Sequence, residues 1–222
     1  GVGKSADEIA GALTVGIHRF NVESHDELLT LQRLAEAQGV TARAAVRINP
    51  DVDAHTHAKI STGKSENKFG VSIDEARRWF AERGRLSHVQ LDGLHVHIGS
   101  QILTLEPFRL ALQRVAEFWR ELEQDGHPIT SIDVGGGLGV CYRAGTDQPV
   151  SAADYVDVIR TALAGYRGRL LLEPGRYLVA EAGVLLTRVI RVKPGIERQF
   201  LVLDAAMNDL QRPSLYDAWH DI

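Results

Sequence analysis

Two histidines and a serine lie close together at the end of one apolar run and could contact a ligand. The run is LHVHIGSQ, residues 94–101, in which His95 and His97 are two positions apart. Because side chains alternate along a strand, the two imidazoles would face the same side. The flat ring of His97 could stack on a planar cofactor, and the Ser100 hydroxyl could bind its phosphate.

His95 is open to two other interpretations. Its neighbours are apolar, as for a core histidine satisfied by hydrogen bonds, and His-x-His pairs also occur among metal ligands. A metal site would need further His or Asp ligands at other strand ends, which carry glycines, Glu173 and Arg47 instead. We therefore predict no metal site.

A run of glycines, GGGLG at residues 135–139, directly follows a second apolar run that ends at Val134. Glycines leave consecutive backbone N–H groups unhindered, which is what a phosphate group needs. A permissive tight turn would have the same composition. The run by itself leaves both interpretations open.

A carboxylate and a guanidinium meet in the EPGR motif, which begins with Glu173 and ends with Arg176. They could form a surface ion pair of little energetic value. Alternatively, Glu173 would pair with a cationic ring nitrogen and Arg176 would bind an anionic group. Further on, Arg212 and Tyr216 are four apart in DLQRPSLY, where Pro213 argues against a regular helix at the start of the segment.

These motifs lie at the ends of apolar runs that alternate with amphipathic helices. Capping pairs such as Ser5 with Glu8 begin helices. The alternation predicts repeated βα units, and hence a parallel sheet or a (β/α) barrel whose strand ends share one site. Residues 51–70 have no periodicity and predict a long, mobile loop. The predicted strands cover residues 17–22, 44–48, 89–98, 129–134 and 170–173.

The pattern changes after Tyr177. Residues 184–192 and 200–203 are typical of strands and have no helical segment between them. We predict a partial barrel over residues 1–180 and the start of a second, β-type domain over residues 181–222.

The composition is that of a soluble globular protein. The chain has 222 residues, 44% of them hydrophobic, and a formal charge of -4 with the two signs interspersed. This charge argues against a nucleic-acid or membrane surface, and no apolar stretch reaches the roughly 18 residues of a membrane span. The single cysteine, Cys141, has no neighbouring base and fits a reducing compartment, which favours the cytoplasm. The sequence opens without Met, and we interpret it as a piece of a longer protein.

Six motifs in order resemble the diaminopimelate decarboxylases, within the group of pyridoxal-phosphate enzymes that includes ornithine decarboxylase and alanine racemase-type barrels. The resemblance extends over the whole sequence. The motifs are AVRINPDV, ENKFGV, LHVHIGSQ, DVGGGLG, EPGR and DAAMNDLQRPSLY.

The resemblance implies a (β/α)8 barrel that carries pyridoxal 5'-phosphate, a following β domain, and a homodimer that completes the active sites. It implies that His97 stacks on the pyridine ring and that Glu173 keeps the ring nitrogen protonated, so that the cofactor acts as an electron sink. The other implied cofactor contacts are Ser100, Gly135, Gly136, Gly137, Pro174, Gly175 and Arg176. The implied substrate contacts are Arg176, Arg212 and Tyr216.

Two residues of the family pattern have no match. The family's Schiff-base lysine would precede the matched region and its catalytic cysteine would follow it. Cys141 does not match that cysteine motif, and no lysine of the chain matches the lysine motif; the five lysines are Lys4, Lys59, Lys64, Lys68 and Lys193. The resemblance therefore implies about five of the eight barrel strands, and a piece that is inactive by itself.

The activity implied is the decarboxylation of meso-2,6-diaminopimelate to L-lysine and CO2, the last step of lysine biosynthesis. Decarboxylation of ornithine, arginine or carboxynorspermidine is an alternative within the same class. A non-catalytic barrel that binds pyridoxal phosphate is an alternative of another class. In each case the expected ligands are small molecules.

Overall fold

A five-stranded parallel sheet covered by helices forms the main body of the structure, a computed structural model that describes residues 1–52 and 68–221. The strands are β1 (Phe20–Val22), β2 (Ala42–Asn49), β3 (Val71–Ser72), β4 (Val89–His95), β5 (Ser131–Asp133), β6 (Arg169–Leu171), β7 (Val189–Pro194) and β8 (Gln199–Leu203). The helices are α1 (Ala6–Thr14), α2 (His25–Ala37), α3 (Ile73–Glu82), α4 (Glu106–Gln124), α5 (Ala152–Ala162), α6 (Gly175–Val179) and α7 (Arg212–Tyr216).

The strand order in the main sheet is β1, β2, β4, β5, β6, and every pairing is parallel. The short β3 adds to the end of β2, also in parallel. Helices α2, α3, α4 and α5 lie between successive strands of this order, as parallel pairing requires. The predicted parallel α/β architecture is confirmed.

Serine caps start four of the helices. In each, the hydroxyl accepts a hydrogen bond from the backbone N–H three residues later, which otherwise has no partner within the helix. The four serines are Ser5, Ser24, Ser72 and Ser151. At Ser5 the side chain of Glu8 also accepts from the Ser5 N–H, which completes the predicted capping box.

The sheet is strongly curved. In a flat sheet, β1 and β6 would lie about 19 Å apart, since they are separated by four strand spacings of about 4.8 Å. Instead, Asn21 of β1 donates from Nδ2 to Oε1 of Glu173, just after β6, at 3.5 Å. Near the opposite end of the same strands, His18 and Arg169 are 3.3 Å apart. The edge strands therefore face each other across an enclosed interior, as they would in part of a barrel.

The C-terminal residues form a separate antiparallel hairpin. Strands β7 and β8 pair with each other alone among the described residues, and most of their side chains are exposed. The apolar side chains of Val192, Phe200 and Leu201 are more than half exposed. This hairpin lacks the covering layer that the helices give to the parallel sheet.

Two details of the sequence prediction can be compared with the structure. The start of the segment DLQRPSLY is not helical, as predicted, since residues 209–211 precede α7, but the helix that follows includes Pro213. Pro213 lies in the first turn, where its missing N–H removes no helical hydrogen bond. The strand predicted to reach Glu173 ends at Leu171, since the chain turns at Pro174 into α6.

Most of the loop predicted for residues 51–70 lies outside the described residues. Within the described residues, no helix is long and apolar enough to cross a lipid bilayer.

Candidate functional site

Three neighbouring strands bring a histidine and two carboxylates together at their carboxyl ends. His95 ends β4, Asp133 ends β5, and Glu173 follows β6. The Nε2 atom of His95 is 3.4 Å from a carboxylate oxygen of Glu173, and Asn21 donates to both Asp133 and Glu173 at 3.4 and 3.5 Å. We call His95, Asp133, Glu173 and Asn21 the acidic cluster.

The two carboxyl groups of the acidic cluster differ in their affinity for protons. The hydrogen bond from His95 lowers the pKa of Glu173 to about 2, against the opposing effect of partial burial. Burial raises the pKa of Asp133, and the negative charge of Glu173 adds to this, although His95 and the Gly135 N–H oppose it. At neutral pH Glu173 is therefore an anion, and a proton taken up by the two carboxyl groups would bind to Asp133 in preference to Glu173.

The acidic cluster also has the donor types of a metal site. One ligand atom each from His95, Asp133 and Glu173 lie within 4.8 Å of one another. The prediction of no metal site did not consider Asp133, which is an aspartate at the end of a neighbouring strand. The absence of a metal therefore stays a prediction.

The glycine run, which follows β5, fits between the residues that follow β4 and those that follow β6. A Cβ on Gly136 would lie 2.0 Å from the Glu173 carbonyl oxygen, and one on Gly137 would lie 2.3 Å from the Gly99 carbonyl oxygen. Gly135 and Gly137 also have positive φ angles of 71° and 100°. Only glycine allows this close approach of backbones.

Two N–H groups among the first three glycines of the run already have partners inside the chain. Gly135 donates to Oδ1 of Asp133 at 2.9 Å, and Gly136 donates to Nδ1 of His97 at 3.1 Å. A phosphate could use these two groups only by replacing their present acceptors. The phosphate role predicted for Gly135, Gly136 and Gly137 stays a prediction.

His97 presents a neutral ring whose orientation is fixed. Because Gly136 donates to Nδ1, the ring proton of the neutral form lies on Nε2. Burial, followed by the charges of Arg47 and His95, lowers the pKa of His97 to about 4. Arg47 is itself held by a buried ion pair with Glu23, 3.0 Å long. The His97 imidazole therefore stays uncharged at neutral pH.

Arg176, on α6, joins two other elements of the site. It donates to the Ser100 hydroxyl at 3.0 Å and to the Tyr142 hydroxyl at 2.6 Å. Arg212, on α7, lies over the same Tyr142 ring, 5.4 Å from its centroid. Arg176 and Arg212, both predicted to bind the substrate, thus lie next to the same tyrosine. No role was predicted for Tyr142 from the sequence.

The remaining predicted residues lie around this group. Pro174 caps α6 and Gly175 is its first residue, with its N–H donating to the Glu173 carbonyl oxygen. Tyr216 lies one turn after Arg212 on α7 and is 36% exposed. Cys141 is exposed beside Tyr142.

Three residues of the site were not predicted from the sequence: Asn21, Asp133 and Tyr142. Asp133 and Tyr142 flank the glycine run, at positions where a strand-end motif places its side chains in the site. Asn21 lies in the predicted strand over residues 17–22, and no role was predicted for it. The contact of Asn21 with Glu173 depends on the curvature of the sheet, which brings β1 opposite β6.

Comparison with known proteins identifies the family. Residues 1–180 match the family described as pyridoxal-dependent decarboxylase, pyridoxal binding domain. The chain belongs to this family. The resemblance inferred from the six motifs is confirmed.

Members of this family named diaminopimelate decarboxylase are similar over the whole chain. The protein from Pseudomonas aeruginosa is 51% identical and that from Zymomonas mobilis 47%, each over 100% of this chain and 53% of its own length. The crystal structure of diaminopimelate decarboxylase from Helicobacter pylori complexed with L-lysine is 44% identical with a TM-score of 0.94, over 100% of this chain and 55% of that one. The chain spans about half the length of these relatives, and its fold is the corresponding part of theirs.

Proposed function

We propose that the whole protein is a pyridoxal-phosphate-dependent decarboxylase that converts meso-2,6-diaminopimelate to L-lysine and CO2. The observation that carries this proposal is the 51% identity, over the whole chain, to a protein named for that activity. The L-lysine in the similar Helicobacter pylori structure agrees with lysine as the product. The proposal places the reaction in the cytoplasm.

The residues of the acidic cluster fit a cofactor with a cationic ring nitrogen. Two carboxyl groups lie together there, and neither forms an ion pair with an arginine or lysine in the described ranges. An anionic Glu173 would accept a hydrogen bond from a protonated pyridine nitrogen. Pyridoxal phosphate, when bound, supplies the electron sink for the electron pair left behind by CO2.

Each residue around the ring has a distinct task in this proposal. Glu173 holds the proton on the ring nitrogen, while His95 and Asn21 orient its carboxylate. The uncharged His97 ring stacks on the pyridine without repelling its positive charge. The residues proposed to hold the phosphate and the rest of the cofactor are Ser100, Gly135, Gly136, Gly137, Pro174, Gly175 and Arg176.

The substrate would be held through its carboxylates by Arg176, Arg212 and Tyr216. Planar guanidinium groups match carboxylates with two parallel hydrogen bonds, and a tyrosine hydroxyl can donate a third. Arg176 and Arg212 come from the two parts of the chain separated near residue 180. We therefore propose that residues 1–180 form a barrel part, that residues 181–222 begin a second domain, and that the substrate binds where they meet.

The family pattern leads to two further proposals about the whole protein. A lysine and a cysteine outside this sequence would complete the chemistry, and two copies would form a homodimer. Sedimentation or light scattering of the purified whole protein measures the second of these.

The direct assay supplies the purified whole protein with pyridoxal phosphate and measures CO2 release from meso-diaminopimelate. Ornithine and arginine are assayed in parallel. We expect release from diaminopimelate at a rate well above that from either of the others. A preference for ornithine or arginine would overturn the substrate proposal, and no release from any of them would overturn the proposed activity.

A further inference from the structure

Tyr142 lies at the point where the two parts of the substrate site meet, and the family resemblance gave it no role. Its ring is partly buried and has a guanidinium near it from each part of the chain. The Arg176 guanidinium carbon is 5.6 Å from the ring centroid, and that of Arg212 is 5.4 Å. The imidazole of His220 meets the ring nearly edge-on at 5.7 Å.

The two arginines have no anionic partner in the described part of the chain. Neither Arg176 nor Arg212 forms an ion pair there, and the Nε atom of each is buried without a hydrogen bond. Two like charges gathered in this way repel each other, and an electron-rich group near both of them, or an anion that joins them, offsets the repulsion. The ring of Tyr142 is such a group, because both guanidiniums lie within cation–π distance of it.

The loop that carries Tyr142 is itself held rigid. A carboxylate oxygen of Asp147 accepts hydrogen bonds from the backbone N–H groups of Tyr142 and Arg143, at 2.8 and 2.9 Å. These bonds lower the pKa of Asp147, so the carboxylate is charged at neutral pH. Trp219 packs on the guanidinium of Arg143 at 5.0 Å, so the same loop also anchors the chain beyond α7.

We propose that Tyr142 is a positioning residue that holds Arg176 and Arg212 side by side, so that both guanidiniums bind one carboxylate of the substrate. The hydroxyl fixes Arg176 directly, and the ring fixes both arginines. Asp147 acts on the two arginines indirectly, by holding the loop that carries Tyr142. This inference rests on the proposed function, because it assumes that the anion is a substrate carboxylate.

The test compares Tyr142→Phe and Tyr142→Leu in the whole enzyme loaded with pyridoxal phosphate. Tyr142→Phe removes only the hydroxyl, and Tyr142→Leu also removes the ring. We expect KM for diaminopimelate to rise about threefold in the first and about tenfold in the second, with kcat within about twofold of wild type. Tyr166→Phe is the matched control, since that hydroxyl donates to the Ile129 carbonyl oxygen, before β5 and away from the two arginines.

Binding of L-lysine and of 1,5-diaminopentane, measured by calorimetry, separates positioning of the arginines from a general loss of structure. The diamine lacks the carboxylate, so Tyr142→Leu should weaken the binding of L-lysine about tenfold and leave that of the diamine unchanged. An unchanged KM, a loss confined to kcat, or equal weakening of both ligands would overturn the proposal.

Two further tests, one at Asp147 and one at Arg212, keep the proposal falsifiable if Tyr142→Leu folds poorly. Asp147→Ala should raise KM in the same direction as Tyr142→Phe, whereas Asp147→Asn, which keeps an oxygen acceptor, should restore most of the wild-type value. In an Arg212→Leu background, Tyr142→Phe should have a smaller effect than in wild type, because the carboxylate has already lost one of the two guanidiniums. Additive effects, or Asp147→Ala at wild-type KM, would contradict the role.

The controls distinguish this inference from the proposed function. If the wild-type enzyme releases no CO2 from diaminopimelate, the proposed function fails. The L-lysine titrations then still decide the role of Tyr142, because a wild type that binds no L-lysine, or binds it no better than Tyr142→Leu does, overturns that role.

Discussion

The two ends of the parallel sheet contain carboxylates in opposite surroundings. At the amino end, Asp92 accepts from Arg43 at 2.9 Å and from Thr130 at 2.8 Å, and Arg19 lies 2.7 Å away. At the carboxyl end, the donors to Asp133 and Glu173 among the described residues are a histidine, an amide and a backbone N–H. One end has more positive than negative charge around its carboxylate. The other has two carboxyl groups, with which no arginine or lysine of the described ranges is paired.

This difference in surrounding charge distinguishes a carboxylate that stabilises the fold from carboxyl groups that are proposed to bind a ligand. Burial alone would raise the pKa of Asp92, but hydrogen bonds from Thr130 and Arg43 and the charge of Arg19 lower it. At Asp133 the balance has the opposite sign, and the pKa is raised. The charge of Asp92 is therefore balanced by arginines, whereas the acidic cluster has no such balance, which agrees with the proposal that it binds a cationic ring nitrogen.

The largest effect on stability should come from the amino end. Asp92→Asn leaves Arg19 and Arg43 without their carboxylate, and the Arg19 side chain is only 5% exposed. We expect the free energy of unfolding to fall by about 3 kcal/mol, as measured by urea denaturation of the whole protein without cofactor. Asp74→Asn is the control, because the exposed Asp74–Arg77 pair should contribute less than about 0.5 kcal/mol. Equal effects from the two variants would remove the structural role of the Asp92 network.

At the carboxyl end, the corresponding change should affect the reaction and not the fold. Glu173→Gln keeps the shape of the side chain but no longer favours a protonated ring nitrogen. We expect kcat to fall about 100-fold, with cofactor content near that of wild type and unfolding free energy changed by less than about 1 kcal/mol. Wild-type turnover at normal cofactor content would remove Glu173 from this role.

His97→Ala should have a smaller effect, and on cofactor affinity. Removal of the stacking face should raise the dissociation constant for pyridoxal phosphate about fivefold to tenfold, as measured by fluorescence titration. His97→Phe keeps an aromatic face and should bind more tightly than His97→Ala, although it leaves the Gly136 N–H without its acceptor. Equal affinities for wild type and His97→Ala would exclude stacking.

The smallest effect concerns pH. The pKa of His97 is lowered to about 4 in the folded chain, so the unfolded chain binds a proton more readily as the pH falls below about 6.5. Stability should therefore be lost between about pH 6.5 and pH 4, and the wild type without cofactor should lose about 1 kcal/mol more than His97→Phe between about pH 7 and pH 5.5. Parallel pH profiles for the two proteins would show that burial of His97 contributes nothing.

Local sequence signals were enough to predict much of the fold. The helix start at Ser5 and the parallel arrangement of the strands followed from a capping pair and from apolar periodicity. These features depend on neighbours in the sequence. Helix α7 was not predicted, although a proline in the first turn is compatible with the start of a helix.

The candidate site was predicted in part, and what was missed depends on tertiary geometry. His97, Glu173 and the glycine run stood out because their motifs are local. The contact of Asn21 with Glu173 requires the sheet to curve, and the meeting of Tyr142 with Arg212 requires two distant segments to approach. Neither approach leaves a periodic signal in a single sequence.

A crystal structure of the whole protein with pyridoxal phosphate tests the central claim most directly. The account predicts the pyridine nitrogen within hydrogen-bond distance of a Glu173 carboxylate oxygen, roughly 2.6–3.0 Å, and the imidazole of His97 parallel to the ring. A pyridine nitrogen that faces away from Glu173, or a metal ion bound by His95, Asp133 and Glu173, would contradict it.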